Sequence, residues 1–189
     1  MTDRFTSALR DTIKQVRSKI SVSHQTASSK QICTQVCSLK QYQQAKRLAL
    51  YHAVNGEIDL SALWHSAQAH EKRCYFPVLQ DDCTLLFLPA TSSTPFKINQ
   101  YGISEPDVSH DLAVDVGELN LMLLPLVAFD VRCTRLGMGA GYYDRTLAQQ
   151  TKCQLFGVAY QFQRVDFLNP QPWDVPLDAV ITEKAIYWR

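Results

Sequence analysis

A chain of 189 residues, 46% hydrophobic and 20% charged, is long enough to bury a sizeable core and lies within the usual size of one domain, so one globular unit is expected. With 19 Lys and Arg against 18 Asp and Glu the net charge is +1, which argues against a nucleic-acid or acidic-membrane partner and confines any positive site to a local cluster. The polar start Met1-Thr2-Asp3-Arg4-Phe5 lacks the apolar run of a secretory signal or a membrane span, so a cytoplasmic protein is expected.

Leu9, Ile13, Val16 and Ile20 recur with the period of an amphipathic helix. Arg10, Lys14 and Arg17 form a basic stripe one residue away, so the helix is expected to bury the first stripe and carry the second at its border. Ile32, Val36 and Leu39 mark a second helix. Residues 47–54 read as a strand ended by Asn55-Gly56, 60–70 as a helix and 74–79 as a strand. That order is a βαβ unit, which requires parallel strands and a right-handed crossover. Residues 83–88 predict a further strand in a hairpin across Gln80-Asp81-Asp82, and 89–99 a polar surface loop. Residues 121–129 are almost continuously apolar, as in a strand covered on both faces. Pro125 cannot donate to a ladder, so that strand is expected to be irregular or to begin after it. A helix over 142–150 and a strand over 154–160 complete an α/β class, a three-layer α/β/α domain with a largely parallel, Rossmann-like sheet.

In such sheets ligands bind beyond the carboxyl ends of the strands. The segment Arg135-Leu136-Gly137-Met138-Gly139-Ala140-Gly141-Tyr142-Tyr143-Asp144-Arg145 joins the buried strand to the next helix. Its alternate glycines permit close backbone approach, the helix start offers unpaired N–H groups, and Arg135 and Arg145 suit phosphate oxygens. It lacks the Lys-Ser/Thr ending of a P-loop and the spacing of a dinucleotide fingerprint; the plain alternative is a tight loop whose glycines serve only backbone geometry. Asp144 lies in a first helical turn, where a carboxylate suits the dipole without any function, and Asp174 in Pro172-Trp173-Asp174-Val175-Pro176 is an ordinary turn former. Brought together, the two would supply oxygen ligands of the kind Mg²⁺ takes. Glu57 falls at the ligand-facing end of the first strand, while Asp59 is the better candidate for capping the following helix. Cys33, Cys37, Cys74, Cys83, Cys133 and Cys153 show no CxxC pair and read as reduced thiols; the five histidines show no zinc-ligand spacing.

The stretch Pro125-Leu-Val-Ala-Phe-Asp130, followed by the segment 135–145, resembles the 5-formyltetrahydrofolate cyclo-ligase signature. The likeness extends through Leu9-Arg10, Tyr51 to Glu57, Phe76-Pro77-Val78, Tyr101 to Pro106, Ala159-Tyr160 with Gln163, and Trp173-Asp174 with Leu177-Asp178. It implies a single domain over 1–189 that uses ATP and Mg²⁺ to convert 5-formyltetrahydrofolate, bare or polyglutamylated, into 5,10-methenyltetrahydrofolate, as a monomer. Thr6, Arg10, Arg135, Leu136, Gly137, Met138, Gly139, Ala140, Gly141, Tyr142 and Tyr143 would border ATP, and Asp144 and Asp174 would be magnesium ligands. His52 and Glu57, with Met138 to Tyr142, would border the folate, and Arg135, Tyr142 and Asp144 would act in the chemistry. The implied course is attack of the formyl oxygen on the γ-phosphate, closure of the ring by N10 and departure of phosphate. Thr6 stands where the family usually has Lys, with Arg4 nearby; Cys133 replaces a turn glycine, Ala140 a loop Gly or Lys, and Gln161 a frequent Glu. Of these, Ala140 is expected to matter most, through a backbone needing positive φ. Two other readings stay open: a sugar-phosphate isomerase or CoA-transferase relative, which shares such α/β layers, and a folate binder without turnover.

Overall fold

In the computed structural model, which describes residues 4–148 and 152–189, the chain opens with helix α1 (Arg4–Arg17). Its buried positions are Ile13 and Arg17, while Val16 is 44% exposed. The inward face therefore turns from the apolar stripe onto the basic one at the end of the helix, contrary to the expectation that the apolar stripe alone is buried. Helix α2 (Val22–Ser38) starts at Ser21, whose hydroxyl accepts the His24 N–H at 3.2 Å, and α3 (Lys40–Gln44) follows.

Strand β1 (Arg47–Ala49), α4 (Ser61–Ala69) and β2 (Arg73–Leu79) form the expected parallel βαβ unit. The first strand is shorter than the 47–54 expected: Leu50 makes a last bond to the Tyr75 carbonyl at 2.9 Å, and beyond it the chain becomes the loop that carries His52 and Glu57. Strand β3 (Leu85–Ala90) returns antiparallel to β2. Residues 89–99 are not all loop: β4 (Phe96–Ile98) pairs antiparallel with β5 (Ser104–Pro106). Strand β6 (Leu121–Pro125) ends at Pro125 instead of starting after it, and β7 (Ala128–Phe129) forms a separate hairpin with β8 (Arg135–Leu136). Helix α5 spans Tyr142–Leu147; the remainder of the expected 142–150 helix includes Gln149 and Gln150, outside the described residues. Strands β9 (Gln154–Val158), β10 (Ala179–Ile181) and β11 (Ile186–Trp188) complete the sheet.

The seven strands run in the order β11-β10-β9-β6-β1-β2-β3, parallel from β10 to β2, with an antiparallel strand at each end. Side chains alternate between two buried clusters: Leu48, Leu121, Leu123 and Phe156 lie with α2, α3 and α4, and Ala49, Met122, Leu124 and Leu155 lie with Leu147 of α5. Burial on both faces explains why the central strands read as unbroken apolar runs. The free side of β3 is covered piecemeal. Leu85 N–H donates to the Thr146 hydroxyl at 2.8 Å, the Phe87 carbonyl accepts from Val114 N–H at 3.1 Å, and Pro89 has no N–H. The chain passes outward from β1 through β2 in one direction and from β6 through β9 in the other, so the reversal of strand order lies between β1 and β6, where a ligand crevice is expected.

Candidate active site

At the carboxyl end of β1, Asn55 (φ 51°) and Gly56 (φ 74°) turn the chain so that Glu57 points inward, 6% exposed. A Cβ on Gly56 would stand 2.8 Å from the Arg17 carbonyl, so the close approach of α1 requires glycine there. Glu57 accepts the Val54 N–H at 3.2 Å and faces Arg17 Nη2 at 3.4 Å. Burial pushes the Glu57 carboxyl up, against the opposing pull of Arg17 and the Val54 N–H. Tyr51, Tyr143 and Tyr160 surround it, their phenols pushed up by burial, that of Tyr160 to about 12. His52 lies flat on Phe76, ring centroids 4.4 Å apart, with Trp64 and Phe96 edge-on. Burial lowers its pKa, so its ring is neutral at pH 7 and is suited to stacking and hydrogen bonding rather than to carrying charge. Asp59 stands one residue before the capping position expected of it: the N-cap of α4 is Leu60, without a side-chain cap bond, and Asp59 Oδ1 accepts the Ser61 N–H at 2.9 Å from outside the helix.

The glycine segment leaves β8. Leu136 is buried beside Ala128 and Leu168, and its carbonyl accepts the Val127 N–H at 2.8 Å, which anchors the loop. Arg10 of α1 lies along the loop: its Nε donates to the Gly137 carbonyl at 2.8 Å, its Nη1 to the Thr6 hydroxyl at 3.4 Å, and a Cβ on Gly139 would stand 3.7 Å from its guanidinium. Sequence-distant residues expected to border one ligand are thereby brought together. Gly139 (φ 106°) and Gly141 (φ 72°) use glycine's conformational freedom. Ala140 is absent from the positive-φ residues, whereas Cys133 has φ 61°, so the residue strained by losing a glycine is Cys133, not Ala140 as expected. The Cys133 thiol is fully buried and donates to the Tyr187 carbonyl at 3.3 Å. Met138 is 46% exposed on the open face of the loop. Tyr142 neighbours Tyr101; burial and then that neighbour push its phenol up. Arg145 grips the Cys83 carbonyl at 3.0 Å and the Ala140 carbonyl, bracing the loop through backbone contacts.

Arg135, 8% exposed, pairs with Asp144 and leaves its Nη1 buried without a partner. Asp144 Oδ1 also accepts the Val175 N–H at 3.1 Å, which brings the segment that holds Asp174 beside the glycine loop. Asp174 Oδ2 accepts the Gln171 N–H at 2.8 Å, the ordinary turn bond. Each carboxylate thus commits one oxygen to protein in these bonds. Among the described residues no three His, Cys, Asp or Glu side chains converge, so a cation here would draw most of its shell from phosphate and water, which suits Mg²⁺. Gln161 bonds Tyr187 at 2.7 Å and Thr182 at 2.9 Å, away from the loop. Two residues had no site role assigned from sequence. Gln163, named only within the resemblance, donates through Nε2 to the Leu126 and Val127 carbonyls at 2.8 and 2.9 Å, and Arg17, apparent only as part of a charged stripe, reaches the crevice itself.

Residues 3–183 match the model of the 5-formyltetrahydrofolate cyclo-ligase family. The chain is 39% identical to the 5-formyltetrahydrofolate cyclo-ligase of Haemophilus influenzae, covering 89% of this chain and 92% of that one, and 33% identical to that of Escherichia coli K12, covering 93% and 98%. Its fold is similar to the 5,10-methenyltetrahydrofolate synthetase of Aquifex aeolicus, with a TM-score of 0.85 at 31% identity over 97% of this chain and 92% of that one. The corresponding synthetase of Mycoplasma pneumoniae gives a TM-score of 0.76 at 28% identity, over 94% and 98%.

Proposed function

The chain belongs to the 5-formyltetrahydrofolate cyclo-ligase family, and from that membership we propose that it closes 5-formyltetrahydrofolate to 5,10-methenyltetrahydrofolate at the expense of ATP, as a single catalytic domain working in the cytoplasm. The observation that carries the site reading is the meeting of α1 with the glycine loop through Arg10 and Gly137. Arg10, Arg135 and the loop 137–143, with Thr6 and Leu136 as supports, hold the nucleotide phosphates, and Arg135 contributes a buried Nη1 that has no protein partner. His52 and Glu57 receive the folate, with Met138 to Tyr142 between the two ligands. Asp144 and Asp174 would hold Mg²⁺, which would supply neutralisation of phosphate charge when bound. The chain's own work is alignment: it fixes the formyl oxygen against the phosphoryl group, neutralises the charge that develops, and keeps water from the activated formyl until N10 closes the ring. No helix among the described residues is long and apolar enough to cross a membrane. The test is the near-ultraviolet absorbance of the methenyl product. It is expected only when protein, 5-formyltetrahydrofolate, ATP and Mg²⁺ are all present; folate binding with no product would overturn the catalytic reading in favour of a binder without turnover.

A further inference from the structure

Arg17 lies outside the nucleotide contacts made by Arg10, although both belong to the same basic stripe. Its side chain, 1% exposed, reaches into the reversal point of the sheet. Nε donates to the Asn55 carbonyl at 2.9 Å, in the loop after β1, and Nη1 to the Leu126 carbonyl at 3.5 Å, the first residue after β6. Nη2 faces Glu57 Oε1 at 3.4 Å with no hydrogen-bond partner of its own. The Leu126 carbonyl is shared with Gln163, so the guanidinium ties together α1, the Glu57 loop and the start of the chain that leads to the glycine loop. We propose that Arg17 is a positioning residue for folate: opposite Glu57 and bonded to the loop that carries it, Arg17 keeps that carboxyl aimed into the crevice, and it serves the folate half of the site rather than the phosphate half.

The proposal rests on the reading of Glu57 as a folate contact. The groups facing Glu57 are Arg17 from α1, Tyr51 at the start of its own loop, Tyr143 from α5 and Tyr160 beyond β9, so Arg17 is the one cation among them. Burial favours the protonated acid and Arg17 opposes it; without Arg17 the carboxyl holds its proton to higher pH. A protonated Glu57 offers one acceptor fewer to the N–H groups of the ligand.

The experiment is calorimetric titration of the full chain with 5-formyltetrahydrofolate and, separately, with Mg²⁺-ATP, over about pH 5.5 to 8.5. For Arg17→Met the folate Kd is expected to rise about 30-fold at neutral pH, with the ATP Kd within about threefold of the parent. The loss should deepen toward acid pH and recede as pH rises. Arg17→Lys keeps a cation opposite Glu57 and is expected to weaken folate by only about threefold, with the parent's pH profile. Equal weakening of both ligands, or an unchanged pH profile in Arg17→Met, would overturn the proposal. Should Arg17→Met fail to melt cooperatively, Arg17→Lys decides alone: selective folate weakening supports the assignment, and equal or absent weakening sinks it. Because binding is read directly, a parent that binds folate without converting it defeats the catalytic reading and leaves this test intact; a parent that binds no folate defeats both.

Discussion

One acid–arginine pair lies in the turn of the β7–β8 hairpin and another joins β8 to α5, and they are put to opposite uses. Asp130 is fully buried with both oxygens engaged: Oδ1 accepts the Arg132 and Thr134 N–H groups at 3.0 and 3.1 Å, and Oδ2 accepts the Arg132 side chain at 2.8 and 3.1 Å and the Leu168 N–H at 3.1 Å. Asp144 is half-buried, and its bonds from Arg135 and Val175 both fall on Oδ1. In the first pair the arginine is the more exposed member; in the second it is the buried one. A saturated carboxylate fixes a turn, whereas an unsaturated one beside a buried guanidinium remains available to a ligand.

Were Asp144→Asn to leave turnover intact, the two carboxylates would not differ in use. Asn can still accept from Arg135 and Val175 but is a poor ligand for Mg²⁺ and leaves the buried Arg135 without its counter-charge, so kcat is expected to fall on the order of 100-fold, with a stability loss of about 2 kcal/mol. Steady-state rates across Mg²⁺ concentrations, paired with thermal melts, check this. Asp130→Asn should do the reverse, costing about 3 kcal/mol in denaturant melts at pH 7 while changing kcat by less than about threefold. Burial pushes the Asp130 carboxyl up, but Arg132 and the surrounding N–H groups outweigh it, so its folded pKa lies below the ordinary 3.8. Its stabilisation is therefore complete above that value and fades as pH falls through the folded pKa, and the gap between parent and variant should close in acid below about pH 4. Smaller again is Cys133→Gly, in which relief at φ 61° offsets the loss of a buried thiol; melts within about 1 kcal/mol of the parent are expected. Ala140→Gly should have the least effect, raising the ATP KM less than about twofold through added loop freedom, because Ala140 is not held at positive φ.

Sequence patterns carried the run of the sheet from β9 to β3 and missed the short strands outside that run. The βαβ unit and the 121–125 strand were legible because parallel strands buried on both faces must be apolar throughout. Strands β4, β5, β10 and β11 have three residues each, too few for a period to register, and exist because a partner lies alongside. The glycine loop was legible from spacing and resemblance, since close approach and helix starts have local signatures, whereas the packing of the 172–176 segment against Asp144 is a long-range contact that spacing does not encode. Arg17 was not, because a helical stripe records which residues share a face but not how far that face sinks at its end. The misplaced strain has a similar origin: a family glycine replaced by another residue marks two candidates, Cys133 and Ala140, and only the backbone dihedral separates them.

The piecemeal cover over β3 bears on how copies of this chain behave in a crowded solution. Outward backbone groups on a terminal strand invite another chain to pair with them, and proteins that leave them open tend to aggregate. At Leu85 the donor is occupied by a threonine hydroxyl, at Phe87 the acceptor is taken by a neighbouring segment, and at Pro89 there is no donor at all. These local devices deny a template along β3, and at the opposite margin β11 is only three residues long, so the sheet stops growing at its own boundaries.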